Sequence, residues 1–147
     1  MNFEHLLSVR NKTNAFARHI GITLTKLSEG FAEAVLPIEA QHMNLIHSVH
    51  GGCLYTLADV AAGACVASFG YVAVTASGTY HYLASARDIH SVTAVASIVK
   101  RGHHLAVLDV TLTDNRKKTI GKATFTYYIT QEKLTYHEET KKSPAER

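Results

Sequence analysis

The stretch Asn44–Gly70, NLIHSVHGGCLYTLADVAAGACVASFG, restricts the fold of this 147-residue chain more than any other. A polar, histidine-bearing lead-in meets Gly51 and Gly52. About seventeen residues follow, Cys53 to Phe69, nearly all of them small and apolar. The run predicts a helix opened by the two glycines and ended by Gly70. At ~1.5 Å per residue it would be about 25 Å long. With nearly every side apolar it is expected to be buried all round. Ala58, Ala61, Ala62, Gly63, Ala64 and Ala67 would let it lie close to a sheet. Inside the run stands Asp59, the only formally charged side chain from Ala40 to Ala86, histidines aside. An isolated carboxylate in an apolar helix is unfavourable unless it is paired or used.

The flanks read as a sheet that holds this helix. Phe3 to His19 predicts an amphipathic N-terminal helix, broken near Asn11–Asn14 and ended by Gly21. Ile22–Leu27 and Phe31–Ile38 read as strands joined by the Ser28-Glu29-Gly30 turn. Glu39–Val49 is an irregular polar loop. Val72–Leu83, His90–Lys100, Leu105–Thr113 and Ile120–Thr130 read as four more strands with short, antiparallel connections. The expectation is one α+β domain over residues 1–147: a curled antiparallel sheet of about six strands around one long helix. Its core would span about 20–130, leaving 131–147 as a polar tail, a short helix or a frayed end.

Composition excludes several classes. The net charge of +3 is mild and the basic residues are scattered, which argues against nucleic acid and leaves a small polyanionic ligand open. No run suits a signal peptide or a bilayer span. Cys53 and Cys65 read as free thiols, so a cytoplasmic location is expected.

Gly51 lies a little over two helical turns before Asp59. A helix start offers free N–H groups and a positive dipole end, suited to a carbonyl oxygen that gains charge during acyl transfer. A glycine there lets a ligand approach the backbone. Asp59 could attack that carbonyl or activate a water; its plainer reading is a buried acid satisfied by hydroxyls or a basic partner. Read alone, His50 is a loop-bonding histidine and Asn44 an Asx-turn residue. His42, His47 and His50 match no ligand spacing, and no metal is expected. Cys53 beside His50 would be a nucleophile only if its thiol were activated. Thr75 reads as an ordinary strand hydroxyl. Arg87, Lys100 and Arg101 read as exposed turn charges, or as phosphate contacts.

The string Asn44-x5-His50-Gly51-Gly52-x6-Asp59 resembles the signature of the PaaI-like hotdog-fold acyl-CoA thioesterases. The likeness runs from about Ile20 to Thr130, through HIGITLTKLSEGFAEAVLP, VTASGTYHYLASA and SIVKRGHHLAVLDVTLTD. The resemblance implies a hotdog fold, a homodimer or homotetramer, and active sites at the dimer interface. Asn and His-Gly from one subunit would face Asp from the other. It implies an acyl-CoA thioesterase that releases free acid and CoA, with no cofactor beyond the CoA of the substrate. Carried over, the Gly51 N–H polarises the carbonyl, His50 and Asn44 shape that pocket, Asp59 is nucleophile or general base, and Thr75 positions the water. His47 stands where relatives often have Gly and would reach toward the acyl pocket. Tyr55, Tyr80, Tyr82 and Leu83 could line that pocket for an aromatic or medium-chain acyl group. Arg87, Lys100 and Arg101 are the candidates for the CoA phosphates. Two other readings stay open: a hotdog dehydratase of 3-hydroxyacyl thioesters, and an acyl-CoA-binding module without turnover.

Overall fold

The computed structural model describes residues 1–135. The N-terminal segment forms α1 (Phe3–Thr13) and α2 (Ala15–Ile20), broken at Asn14. Asn14 ends α1 and caps α2, its side chain accepting from the Ala17 N–H at 3.2 Å. Gly21 stops α2 in the left-handed conformation at φ 96°. β1 (Thr23–Ser28) and β2 (Phe31–Pro37) make the expected hairpin. Asn11 fastens α1 to β1: its amide donates to the Leu24 carbonyl at 2.9 Å and accepts from the Leu24 N–H at 2.8 Å.

The long helix α3 (Gly51–Ala67) begins at the glycines because His50 is its N-cap, Nδ1 accepting from the Gly52 N–H at 2.8 Å. β3 (Tyr71–Tyr82), β4 (Ser91–Arg101), β5 (Leu105–Asp114) and β6 (Thr119–Lys133) follow. All six strands form one antiparallel sheet in the order β1-β2-β4-β5-β6-β3, curled around α3. Its inner face supplies Ala32, Ala34, Ala94, Ala96 and Ala106, all fully buried, so the helix lies close. The α+β architecture expected from the sequence holds.

Three details differ from expectation. First, β3 does not neighbour β4. The connection through residues 83–90 is long enough to cross from one edge, so β3 becomes an edge strand on β6 while β4 pairs with β2. Second, Gln131–Lys133 continue β6, with Lys133 paired to Tyr71, because a long partner strand extends the backbone ladder whatever the side-chain polarity. The remaining tail expectation, for residues 136–147, lies outside the described residues. Third, α3 is not buried all round. Leu54, Leu57, Ala58, Ala61, Ala62 and Cys65 are buried, but Thr56, Asp59, Val60 and Gly63 form a half-exposed stripe at helical spacing. A sheet curled around one side of a helix cannot cover the other.

The Tyr80 hydroxyl is buried without a hydrogen-bond partner among the described residues. Its tip fills the space that a Cβ on Gly121 would need. An unpartnered buried hydroxyl is unfavourable, so Tyr80→Phe is expected to keep or raise thermal stability, by up to ~1 kcal/mol in thermal denaturation. A loss of that size would mean that the hydroxyl has a partner in the assembled protein.

Candidate active site

Asp59, two turns into α3, is half-exposed on the wall of a cavity of about 400 Å³. Gly63 of α3, Val72 and Thr75 of β3, Tyr127 of β6 and Arg10 of α1 complete the wall. Thr75 Oγ1 donates to Asp59 Oδ1 at 2.9 Å, and the Tyr127 hydroxyl donates to the same oxygen at 2.6 Å. Tyr127 also lies 2.9 Å from the Asp59 main-chain carbonyl. With one proton to give, it serves the nearer, charged oxygen. Burial, and then the charge of Asp59, push the Tyr127 hydroxyl far up, so it remains a donor at any working pH. The isolated carboxylate of the sequence is thus held by hydroxyls at Oδ1, and Oδ2 accepts no hydrogen bond among the described residues. The resemblance assigns Thr75 to a water; here its proton goes to Asp59.

Asn44, Gly51 and Tyr82 line a second cavity of about 340 Å³ at the start of α3. Asn44 and His50 also line an open groove beside Leu45 and Ile46. Asn44 Oδ1 accepts from the Ile46 and Ser48 N–H groups, both at 3.0 Å, which organises the loop. Its amide N–H₂ has no acceptor among the described residues. His50, its Nδ1 committed to the cap, is exposed. A Cβ on Gly51 would meet the Tyr82 ring at 3.0 Å, and the Tyr82 hydroxyl donates to the Gly51 carbonyl at 2.9 Å. Tyr82, as well as any ligand, therefore uses the room that this glycine gives.

The other expected residues scatter. His47, exposed at the loop tip, has φ 57° and lines neither cavity. That left-handed conformation costs a non-glycine residue about 1 kcal/mol. Tyr55 is a packing residue, its ring 5.4 Å from Phe125 and 6.4 Å from Tyr80. Leu83 is exposed just beyond β3. Arg87 follows Ala86, which lines the Gly51 cavity. Lys100 and Arg101 end β4, whose eleven residues span roughly 33 Å. There the Arg101 guanidinium stacks 4.7 Å over Phe69. Within one chain, Arg87 and the Lys100–Arg101 pair thus stand at opposite ends of β4. His42 is structural: Nδ1 accepts from the Glu39 N–H at 3.0 Å, so Nε2 donates to the Ile20 carbonyl at 2.5 Å. No three His, Cys, Asp or Glu gather among the described residues as a metal site. Burial pushes the Cys53 thiol up, the reverse of activation.

Asp59 and Gly51 stand eight residues apart, about 12 Å along the helix, in separate cavities. The sequence reading missed Tyr127 and Arg10. Its one available signal was Gly63, four residues after Asp59. A mid-helix glycine costs about 1 kcal/mol relative to Ala and marks a close approach.

A model of the Thioesterase superfamily matches residues 47–120. The chain belongs to this superfamily. The match takes in Gly51, Asp59 and Thr75 and stops before Tyr127. The acyl-coenzyme A thioesterase PaaI of Escherichia coli (strain K12) is 31% identical over 110 residues, 75% of this chain and 79% of that protein. The structure of the E. coli PaaI protein from the phenylacetic acid degradation operon superposes with TM-score 0.85 at 26% identity, covering 90% of this chain and 96% of that one. A hypothetical thioesterase from Streptococcus pneumoniae TIGR4, solved with coenzyme A, superposes with TM-score 0.73 at 27% identity, covering 78% and 92%. The fold is the hotdog fold and the thioesterase is a PaaI-like thioester hydrolase, as the His-Gly-Gly to Asp string implied. Among the described residues no helix is long and apolar enough to cross a membrane.

Proposed function

We propose that the thioesterase hydrolyses acyl-CoA to a free acid and CoA, and that Asp59 of one subunit acts on a carbonyl held by the partner subunit's Gly51 N–H. The observation that carries this reading is the Asp59 carboxylate, held among the described residues at Oδ1 only, on the wall of a cavity of about 400 Å³. The relatives support the substrate class: E. coli PaaI is an acyl-coenzyme A thioesterase, and the pneumococcal protein was solved with coenzyme A.

Three features of the single chain support a shared site. Asp59 and Gly51 line different cavities, and the α3 stripe through Thr56, Asp59 and Gly63 is half-exposed. Among the described residues β3 is a twelve-residue edge strand with one side unpaired. Pairing two β3 edges about a two-fold axis would bring the open faces of two α3 helices together. Either water adds to the thioester carbon while Asp59 takes its proton, or Asp59 adds first, the thiolate leaves, and water then splits the resulting mixed anhydride into the free acid and the Asp59 carboxylate. The Gly51 N–H meets the growing charge on the carbonyl oxygen, the C–S bond breaks, and the CoA thiolate takes a proton. No cofactor enters this reaction beyond the CoA of the substrate.

Release of free thiol over short, medium, long and aryl acyl-CoAs tests the proposal, with acid and CoA expected in equal amounts. Enoyl product from 3-hydroxyacyl-CoA would point to a dehydratase instead. Intact acyl-CoA after long incubation, with saturable binding, would point to a binding module. Thr75→Ala removes one of two donors to Asp59, so kcat should fall about tenfold with KM little changed. An unchanged kcat would leave Thr75 without a role.

A further inference from the structure

We infer that Tyr127 is a positioning residue that selects which oxygen of Asp59 reacts, and that Gly63 is the slot that admits it. The inference rests on the reading of Asp59 as the working carboxylate. Tyr127 and Thr75 approach from two different strands and converge on Oδ1, at 2.6 and 2.9 Å. Two donors on one oxygen fix the carboxylate plane and draw charge to Oδ1. Oδ2 is left as the oxygen that meets water or the thioester.

A second observation supports this independently. A Cβ on Gly63 would lie 3.1 Å from the Tyr127 hydroxyl and 3.5 Å from Arg10 Nη2. Gly63 stands one turn after Asp59 on the half-exposed stripe. Alanine would be the better helix former at this position, but the Tyr127 hydroxyl would have to give by a few tenths of an ångström, lengthening its bond to Oδ1. The helix gives up propensity at the one place where the phenol must come close. The titratable or charged groups facing the carboxylate across this cavity are Tyr127 from β6, Arg10 from α1 and Tyr71 from β3. Of these, only Tyr127 bonds Asp59 among the described residues.

The test uses the full chain and three variants, Tyr127→Phe, Gly63→Ala and the double variant. Tyr127→Phe should lower kcat about tenfold with KM within about twofold. Gly63→Ala should lower kcat although alanine favours the helix. In the double variant the alanine methyl occupies the space left by the missing hydroxyl. Thermal stability should then match or exceed that of Tyr127→Phe while kcat stays low. Activity that returns with stability in the double variant would overturn the inference, as would a Tyr127→Phe enzyme with kcat unchanged. The double variant serves in place of Tyr127→Phe if the latter folds poorly. A readout that needs no turnover is the proton spectrum. A downfield, slowly exchanging hydroxyl proton should be present in the wild type, vanish in Tyr127→Phe and move upfield in Asp59→Asn; its absence from the wild type counts against the inference. An Asp59→Asn enzyme that keeps its turnover sinks the reading of Asp59 instead, and the proton signal still reports on Tyr127.

Discussion

Asp59→Ala is expected to lower kcat/KM for acyl-CoA about a thousandfold while the circular dichroism spectrum and Tm stay near wild type. The size follows from the role, since a positioned acid or base contributes roughly 10²–10⁴-fold. The spared stability follows from the site. Asp59 is half-exposed, no ion pair to it exists among the described residues, and its partners are hydroxyls that a water can satisfy. Removing it leaves no buried charge unpaired, which is what makes other carboxylate truncations damaging. Asp59→Asn is the cleaner variant. It keeps the shape and an oxygen for Tyr127 and Thr75 and removes only the charge. Free-thiol release under saturating and subsaturating substrate separates kcat from KM. Turnover within a few-fold of wild type in either variant would remove Asp59 from the chemistry and, with it, the proposed site.

Asp59 was legible in the sequence because charge is scarce there. One acid inside seventeen apolar residues stands out before any fold is known. The glycines and the turn residues located the helix start and most strand ends, because each depends on local backbone preference. What could not be read locally was the edge position of β3. It depends on where an eight-residue connection goes, not on anything within the strand. Tyr127 was hidden for the same reason. On an alternating strand a tyrosine is indistinguishable from core packing, and its partner lies 68 residues earlier. Gly63 was read as one more small residue for close sheet packing, among alanines that do serve that purpose. Asn44 shows the opposite case. Its plainer reading as an Asx-turn residue is what its Oδ1 does, yet the same side chain, on the wall of the second cavity, keeps an N–H₂ with no acceptor among the described residues. A residue can be structural through one atom and available for substrate through another, and sequence cannot separate the two.

Mixing two inactive variants should restore activity. Gly51→Pro removes the N–H proposed to polarise the carbonyl while keeping a residue suited to the first helical position. Its ring meets Tyr82, which is 56% exposed and moves outward only by giving up its hydrogen bond to the Gly51 carbonyl. Alone, it should lose about 10²–10³-fold in kcat, the usual effect of removing such a donor. If every site takes Asp59 from one subunit and Gly51 from the other, a dimer of Asp59→Ala with Gly51→Pro carries both lesions in one site and none in the other. Random reassociation of equal amounts makes half the dimers mixed, so about a quarter of wild-type activity should return. A site within one chain predicts no recovery at all, because every chain in the mixture is broken. The reciprocal experiment fixes the sign. A chain carrying both substitutions, mixed equally with wild type, should give about a quarter of the all-wild-type activity if sites are shared, since only wild-type homodimers then work. It should give about half if each chain works alone. Recovery in the first mixture, together with a quarter in the second, can arise only from sites built across the two-fold axis, whichever acyl group is used to measure them.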